Sequence, residues 1–204
     1  MYYDKQQLYT PALEPYEFNE RALVIDTETV GAGPLIEVIE VALGESNGNI
    51  IYHALVQPTF NPLPKPSAHH RFARAEFDTA PTWPEIWPVL EQHLAGRLLI
   101  AYNAMFDQRA MAATCSRYRQ TMPEWGWRCA MQYVKKLLKL KKSLPLAEAC
   151  AAFGLPGGTH RADDDVRATI ALLVATIKNP NIKQAQIAGP PDSDKLGQER
   201  KTAT

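Results

Sequence analysis

Apolar runs separated by turn residues open the chain. Residues 21–27, 35–43 and 50–57 are rich in Val, Ile and Leu, and Gly31-Ala-Gly33-Pro34 and Glu45-Ser-Asn-Gly48-Asn lie between them. Runs of that length and composition, bounded by Gly, Pro and Asn, predict three strands in an antiparallel meander. The proline-rich stretch 58–66 predicts a loop. Between Ser67 and Leu94 the pattern predicts a short helix and then a longer one, with Pro84 suited to a first turn and Pro88 predicting a break or kink. Trp83 and Trp87, four residues apart, fall on one face of that helix and suit the core. A fourth strand is predicted at 98–102, a helix from Ala104 to about Tyr118, and a short fifth strand at 125–130. Helices at 130–140 and 145–153 precede a final helix at about 162–177. Strands first, then strands mixed with helices, indicate an α/β layered domain.

The 204-residue length suits one domain with a real core, and 46% hydrophobic content is ordinary for a soluble chain. Arg97, Asn103 and Gly154 interrupt the longest apolar stretches well short of a membrane span. Met-Tyr-Tyr-Asp-Lys lacks the basic and then apolar layout of a secretory signal, so a cytoplasmic location is expected, with no membrane partner. Cys115, Cys129 and Cys150 are odd in number and widely spaced, which suits buried thiols better than a disulfide or zinc framework. Residues 1–18, with Pro11 and Pro15, read as an extended arm, 19–178 as the folded domain, and 179–204 as a disordered tail poor in apolar residues. The tail is open to two readings, a peptide that docks on a protein partner or a flexible end.

Formal net charge is zero, which excludes a global positive field that would gather polyanions. One local cluster stands out. Arg128, Lys135, Lys136, Lys139, Lys141 and Lys142 occur with no acidic residue among them, along a stretch whose Met131, Val134, Leu137 and Leu138 suggest a helix. They could track phosphates or form the solvated face of an amphipathic helix.

The chemistry-bearing feature is Asp26-Thr27-Glu28 at the end of the apolar run Ala22 to Ile25. A strand places residues i and i+2 on one face, so both carboxylates project to the same side of its rim. Two like charges there call for a counter-cation, most naturally a hard divalent ion, although an acidic turn at a strand end is the plainer alternative. Two later segments bear on that choice. Tyr102-Asn103-Ala-Met-Phe106-Asp107 runs from a strand into the first turn of a helix. Thr159-His160-Arg-Ala-Asp163-Asp164-Asp165 follows Gly157-Gly158 and opens the last helix.

In that order, DxE, NxxFD and HxxxxD resemble the DEDDh 3′-to-5′ exonucleases, the DnaQ-like branch of the RNase H superfamily. The branch of the proofreading epsilon subunit of bacterial replicases and exonuclease X is the nearest in look. The resemblance spans roughly residues 21–178 and implies an RNase H-like three-layer domain, a central mixed five-stranded sheet flanked by helices. It implies that Asp26, Glu28, Asp107 and Asp165 hold two divalent cations, Mg²⁺ or Mn²⁺, with Asp26 bridging them, and that His160 is the general base. An imidazole can be neutral at working pH and take a proton from the attacking water. The Gly157-Gly158 approach is expected to let the ring swing towards a bound phosphate.

The macrodipole alone favours acids at a helix start, which explains Asp163 and Asp164. The apolar stripe Val166, Ile170, Leu173, Ile177 lies nearer Asp163 than Asp165, so periodicity does not select Asp165; the family spacing does, with Asp163 as second choice. For substrate, backbone amides of Thr27, Thr29 and Val30 are expected at the terminal 3′-hydroxyl and phosphate. Asn103 is expected to brace the strand-to-helix turn, and Phe106 either packs beneath the site or touches the terminal nucleotide. Small Ala32 stands where the family commonly has a large apolar residue against the terminal bases. His70-Arg71-Phe72 reads as structural or as substrate edge.

The resemblance implies release of nucleoside 5′-monophosphates from single-stranded or frayed 3′ ends, with DNA favoured over RNA and proofreading or repair as the setting. The same site also serves exoribonucleases. The alternative from another class is a silent exonuclease fold that binds nucleic acid or protein; the fourth carboxylate and the histidine, which binding alone does not need, argue against it.

Overall fold

The computed structural model describes residues 10–59, 72 and 75–178. One mixed sheet of five strands runs in the order β3-β2-β1-β4-β5. Its strands are β1 (Ala22–Val30), β2 (Glu37–Glu45), β3 (Ile50–Leu55), β4 (Leu98–Ala101) and β5 (Gly126–Cys129). The meander β1-β2-β3 is antiparallel, and β4 and β5 add in parallel beside β1. The helices are α1 (Ala75–Asp78), α2 (Trp83–Leu94), α3 (Ala104–Arg117), α4 (Ala130–Leu137), α5 (Leu146–Ala151) and α6 (Ala162–Lys178).

The strand period of two divides the sheet between two cores. Leu23 and Ile25 of β1 join the buried residues of α2 and α3, among them Leu90, Leu94, Met111 and the tilted pair Trp83 and Trp87. Ala22 and Val24 point the other way, to Val166, Ile170 and Leu173 of α6 and Val134 of α4. The result is three layers, helices on both faces of a mixed sheet. Cys115, Cys129 and Cys150 are buried free thiols.

Thr82 and Glu85 form a capping box at the start of α2: the Thr82 amide and hydroxyl donate to the Glu85 carboxylate at 2.6 and 2.8 Å. The break expected at Pro88 does not occur, and α2 runs unbroken to Leu94. Pro84 and Pro88 are both exposed. The one carbonyl that Pro88 deprives of an intrahelical donor, that of Pro84, therefore lies on the solvent side, where water satisfies it.

Residues 11–13 pair with the edge of β5: the Cys129 amide donates to the Pro11 carbonyl at 2.9 Å, and the Leu13 amide donates to the Cys129 carbonyl at 3.3 Å. Leu13 is buried against the α4/α6 core. Two of the six basic residues of 128–142 are engaged with the same segment. Arg128 pairs with Glu17 at 2.6 Å and Lys136 with Glu14 at 3.1 Å. His69, His70, Arg71, the tail from 179 and residues 1–9 lie outside the described residues, whereas Phe72 is buried against Phe77. Among the described residues no helix is long and apolar enough to cross a membrane.

Candidate active site

Asp26 and Glu28 share the β1 face of Ala22 and Val24, so they project towards α6. Thr27, between them, faces the opposite layer, where its amide and hydroxyl donate to Oδ1 of Asp107 at 3.0 and 2.9 Å. A single tripeptide thus places two carboxylates on one side and orients a third, from the first turn of α3, with the intervening residue. Both Thr27 donors are engaged by Asp107 in this structure.

Asp165 comes from the first turn of α6 and is held by the chain before it. The amides of Thr159 and His160 donate to its carboxylate, the latter at 3.2 Å. Glu28, Asp165 and His160 bring potential ligand atoms within 4.8 Å of one another. His160 is exposed and its φ is +61°, in the left-handed region a non-glycine residue seldom occupies. Gly157 and Gly158 are also closely packed. A Cβ on Gly157 would sit 3.0 Å from the Ala147 Cα, and one on Gly158 would overlap the Asp165 carboxylate.

The three acids of the triplet have different partners. Asp164 accepts the Thr159 hydroxyl at 2.5 Å. Asp163 groups instead with Glu40 and His53. Asp165 alone of the three joins Glu28 and His160.

The four carboxyl groups act on one another through their charges. Burial, with the charges of Asp107, Asp165, Glu28 and Glu40 added, holds Asp26 well above its ordinary value. Burial and neighbouring carboxylates push Glu28 up to about 8. Burial pushes Asp107 up to about 7 even though the Thr27 hydrogen bonds oppose it. Burial also raises Asp165, with the amides of His160 and Thr159 opposing. Four carboxyl groups that hinder one another's ionisation form an oxygen-only donor set, and that set fits a hard divalent cation.

The remaining sequence-derived candidates sort differently. Thr29 is buried, and Val30 packs against the cluster of Ile39, Phe72 and Phe77. Asn103 is the N-cap of α3 but its side chain makes no capping bond; the brace is its carbonyl, which accepts the Phe106 amide at 2.8 Å. Phe106 is 41% exposed, so it does not pack beneath the site.

Sequence reasoning missed Glu40, which is 0% exposed in the middle of β2. Burial alone would raise its pKa, but hydrogen bonds from His53, Arg161 and the Ala162 amide bring it below its ordinary value. A carboxylate inside the apolar run Val38-Ile39-Glu40-Val41-Ala42-Leu43 was the available signal.

The sequence pattern of the exonuclease family, RNase_T, matches residues 23–173. The chain belongs to that exonuclease family. An uncharacterized exonuclease, CP81, of Escherichia phage 186 is 30% identical over 171 residues, covering 76% of this chain and 88% of its own. The PolC-type DNA polymerase III of Thermotoga maritima is 28% identical over 161 residues, covering 76% of this chain but 12% of the polymerase. In fold, the chain resembles the nuclease domain of 3′hExo, a DEDDh family member bound to rAMP, with TM-score 0.64 and 18% identity over 79% of this chain and 94% of that one. This family member is a nuclease hydrolase built on the RNase H-like three-layer fold.

Proposed function

We propose that this exonuclease acts in the 3′-to-5′ direction and releases nucleoside 5′-monophosphates, with DNA as the favoured substrate. The reading rests on one observation: Asp26, Glu28, Asp107 and Asp165 act on one another's charges in a cluster that His160 adjoins. Asp26, Glu28, Asp107 and Asp165 are the residues that would hold two divalent cations, Mg²⁺ or Mn²⁺. Such ions would offset phosphate charge and assist both the attacking and the leaving oxygen. His160, exposed at the rim, takes the proton of the attacking water. Thr27 keeps Asp107 oriented, and the exposed ring of Phe106 offers a stacking face for a terminal base. Similarity to a part, 12%, of the PolC-type DNA polymerase III of Thermotoga maritima supports DNA.

The test uses strands labelled at the 5′ end, as single-stranded DNA, duplex DNA with mismatched 3′ ends, and RNA, with Mg²⁺ or Mn²⁺. Stepwise ladders that shorten from the 3′ end of DNA are expected. A mobility shift without cleavage would indicate a silent binding fold, and faster degradation of RNA would make the protein an exoribonuclease.

A further inference from the structure

Glu28 and Glu40 are direct partners across β1 and β2, an arrangement of like charges that destabilises a strand pair unless something intervenes. The intervening group is Arg161. Its Nε and Nη2 donate to Oε1 of Glu40 at 3.0 and 2.9 Å. The same oxygen receives His53 Nε2 at 2.7 Å, and Oε2 receives the Ala162 amide at 2.9 Å. Arg161 also lies 4.7 Å over the Phe72 ring and reaches Glu76 at 3.7 Å. It stands between His160 and the first residue of α6, and its charge acts on Glu28.

We infer that Glu40 is a positioning residue: it holds Arg161 away from the carboxylates of the proposed metal site and ties the start of α6, with His160 and Asp165, to the sheet. This rests on the metal-dependent reading above. A guanidinium released next to Glu28 would compete for that carboxylate with an incoming divalent cation, because both seek the same oxygens. The group formed by Glu40, His53 and Asp163 has the composition of a second metal site. Its only fully buried carboxylate already carries a guanidinium and a helix amide, so its cation is Arg161.

The two parts of the role separate in a double variant. Mn²⁺ binding is followed by the electron paramagnetic resonance of the free ion, for the wild-type protein, Glu40→Gln and Glu40→Gln/Arg161→Gln, together with cleavage of 3′-ended DNA and thermal melting. Glu40→Gln is expected to weaken Mn²⁺ binding by about 10-fold, within the usual range for groups that support metal ligands. The double variant is expected to regain most of that loss, because the liberated cation is gone. Equal weakening in both variants would reduce Glu40 to a structural brace, and loss of a whole equivalent of bound Mn²⁺ would make it a ligand; either result overturns the inference. If Glu40→Gln does not fold, the same comparison is made with Glu40→Asp, which keeps the charge but shortens its reach, and a smaller loss recovered in the same way is expected. A wild-type protein that binds Mn²⁺ without cleaving any 3′ end, yet shows the Arg161-dependent loss, would refute the nuclease reading alone. Cleavage by a wild type whose Mn²⁺ affinity matches both variants would refute the positioning role alone, and no Mn²⁺ binding by any of them would sink both.

Discussion

Gly158 lies so close to the Asp165 carboxylate that a Cβ built on it would overlap Oδ1. The obstacle is the end of a side chain, so the fold can absorb a methyl group there only by moving that carboxylate from its place beside Glu28 and His160. Gly158→Ala is therefore expected to melt within a few degrees of wild type yet lose roughly 10 to 100-fold in turnover or Mn²⁺ affinity, the usual scale for displaced support of a ligand. At Gly157 the obstacle is the Ala147 backbone, so Gly157→Ala should lower the melting temperature more and the catalytic rate less. Equal rates for wild type and Gly158→Ala would show that Asp165 need not stay where the amides of Thr159 and His160 hold it.

The period-two logic of β1 was enough to put Asp26 and Glu28 on one face, because a strand leaves no other arrangement. Asp107 was legible from the strand-to-helix junction, although nothing in the sequence announced that Thr27 would orient it. Asp165 was chosen over Asp163 by family spacing, and the structure gives the physical difference: Asp163 sits with Glu40 and His53. Glu40 stayed hidden because a lone acid in an apolar run says nothing about which partners will neutralise it. Those partners are His53 on the next strand and Arg161 more than a hundred residues away, and such long-range pairing is invisible to local pattern. Pro88 misled for the reverse reason: the sequence shows the lost donor but not that the affected turn faces water.

Asp163→Asn, Asp164→Asn and Asp165→Asn, compared at saturating Mg²⁺, should divide sharply. Asp165→Asn is expected to lose activity by orders of magnitude, since it alone of the three stands with Glu28 and His160. The other two are expected to show mainly helix-end effects of roughly 0.3 to 1 kcal/mol, measured by denaturant unfolding. A greater catalytic loss at Asp163 would move the ligand assignment there.

Stability of the metal-free protein should fall as pH rises. Glu28 and Asp107, with ordinary values of 4.5 and 3.8, are pushed up to about 8 and about 7, so both bind protons more tightly in the folded state. Their contribution is complete below the unfolded values and is lost as pH climbs through the folded ones. Melting scans of EDTA-treated protein between pH 5 and 8.5 should therefore decline towards the upper end, after correction for other titrating groups. Added Mn²⁺ should raise the melting temperature more at pH 8 than at pH 5.5, because protons no longer compete for the carboxylates. Asp26→Asn, which removes one of these mutually hindering carboxyl groups, should lose less stability than wild type towards the upper end of that range without metal while losing cleavage. A metal-free melting curve independent of pH, with Asp26→Asn losing no less stability than wild type, would contradict this electrostatic account.

His160 combines an exposed ring with a backbone φ of +61°, and the two properties can be tested apart. If the ring is the general base, His160→Ala should slow single-turnover cleavage by roughly 10² to 10⁴ fold, the usual contribution of a positioned acid or base. Mn²⁺ affinity should change little, since the carboxylates hold the ions in the proposed arrangement. His160→Gly should lose as much activity but recover roughly 1 kcal/mol of stability relative to His160→Ala, because only glycine occupies the left-handed region without a Cβ conflict. Cleavage by His160→Ala at the wild-type rate would remove the ring from the mechanism. A fall in Mn²⁺ affinity matching the fall in rate would instead make His160 a ligand alongside Glu28 and Asp165, whose ligand atoms lie within 4.8 Å of its own.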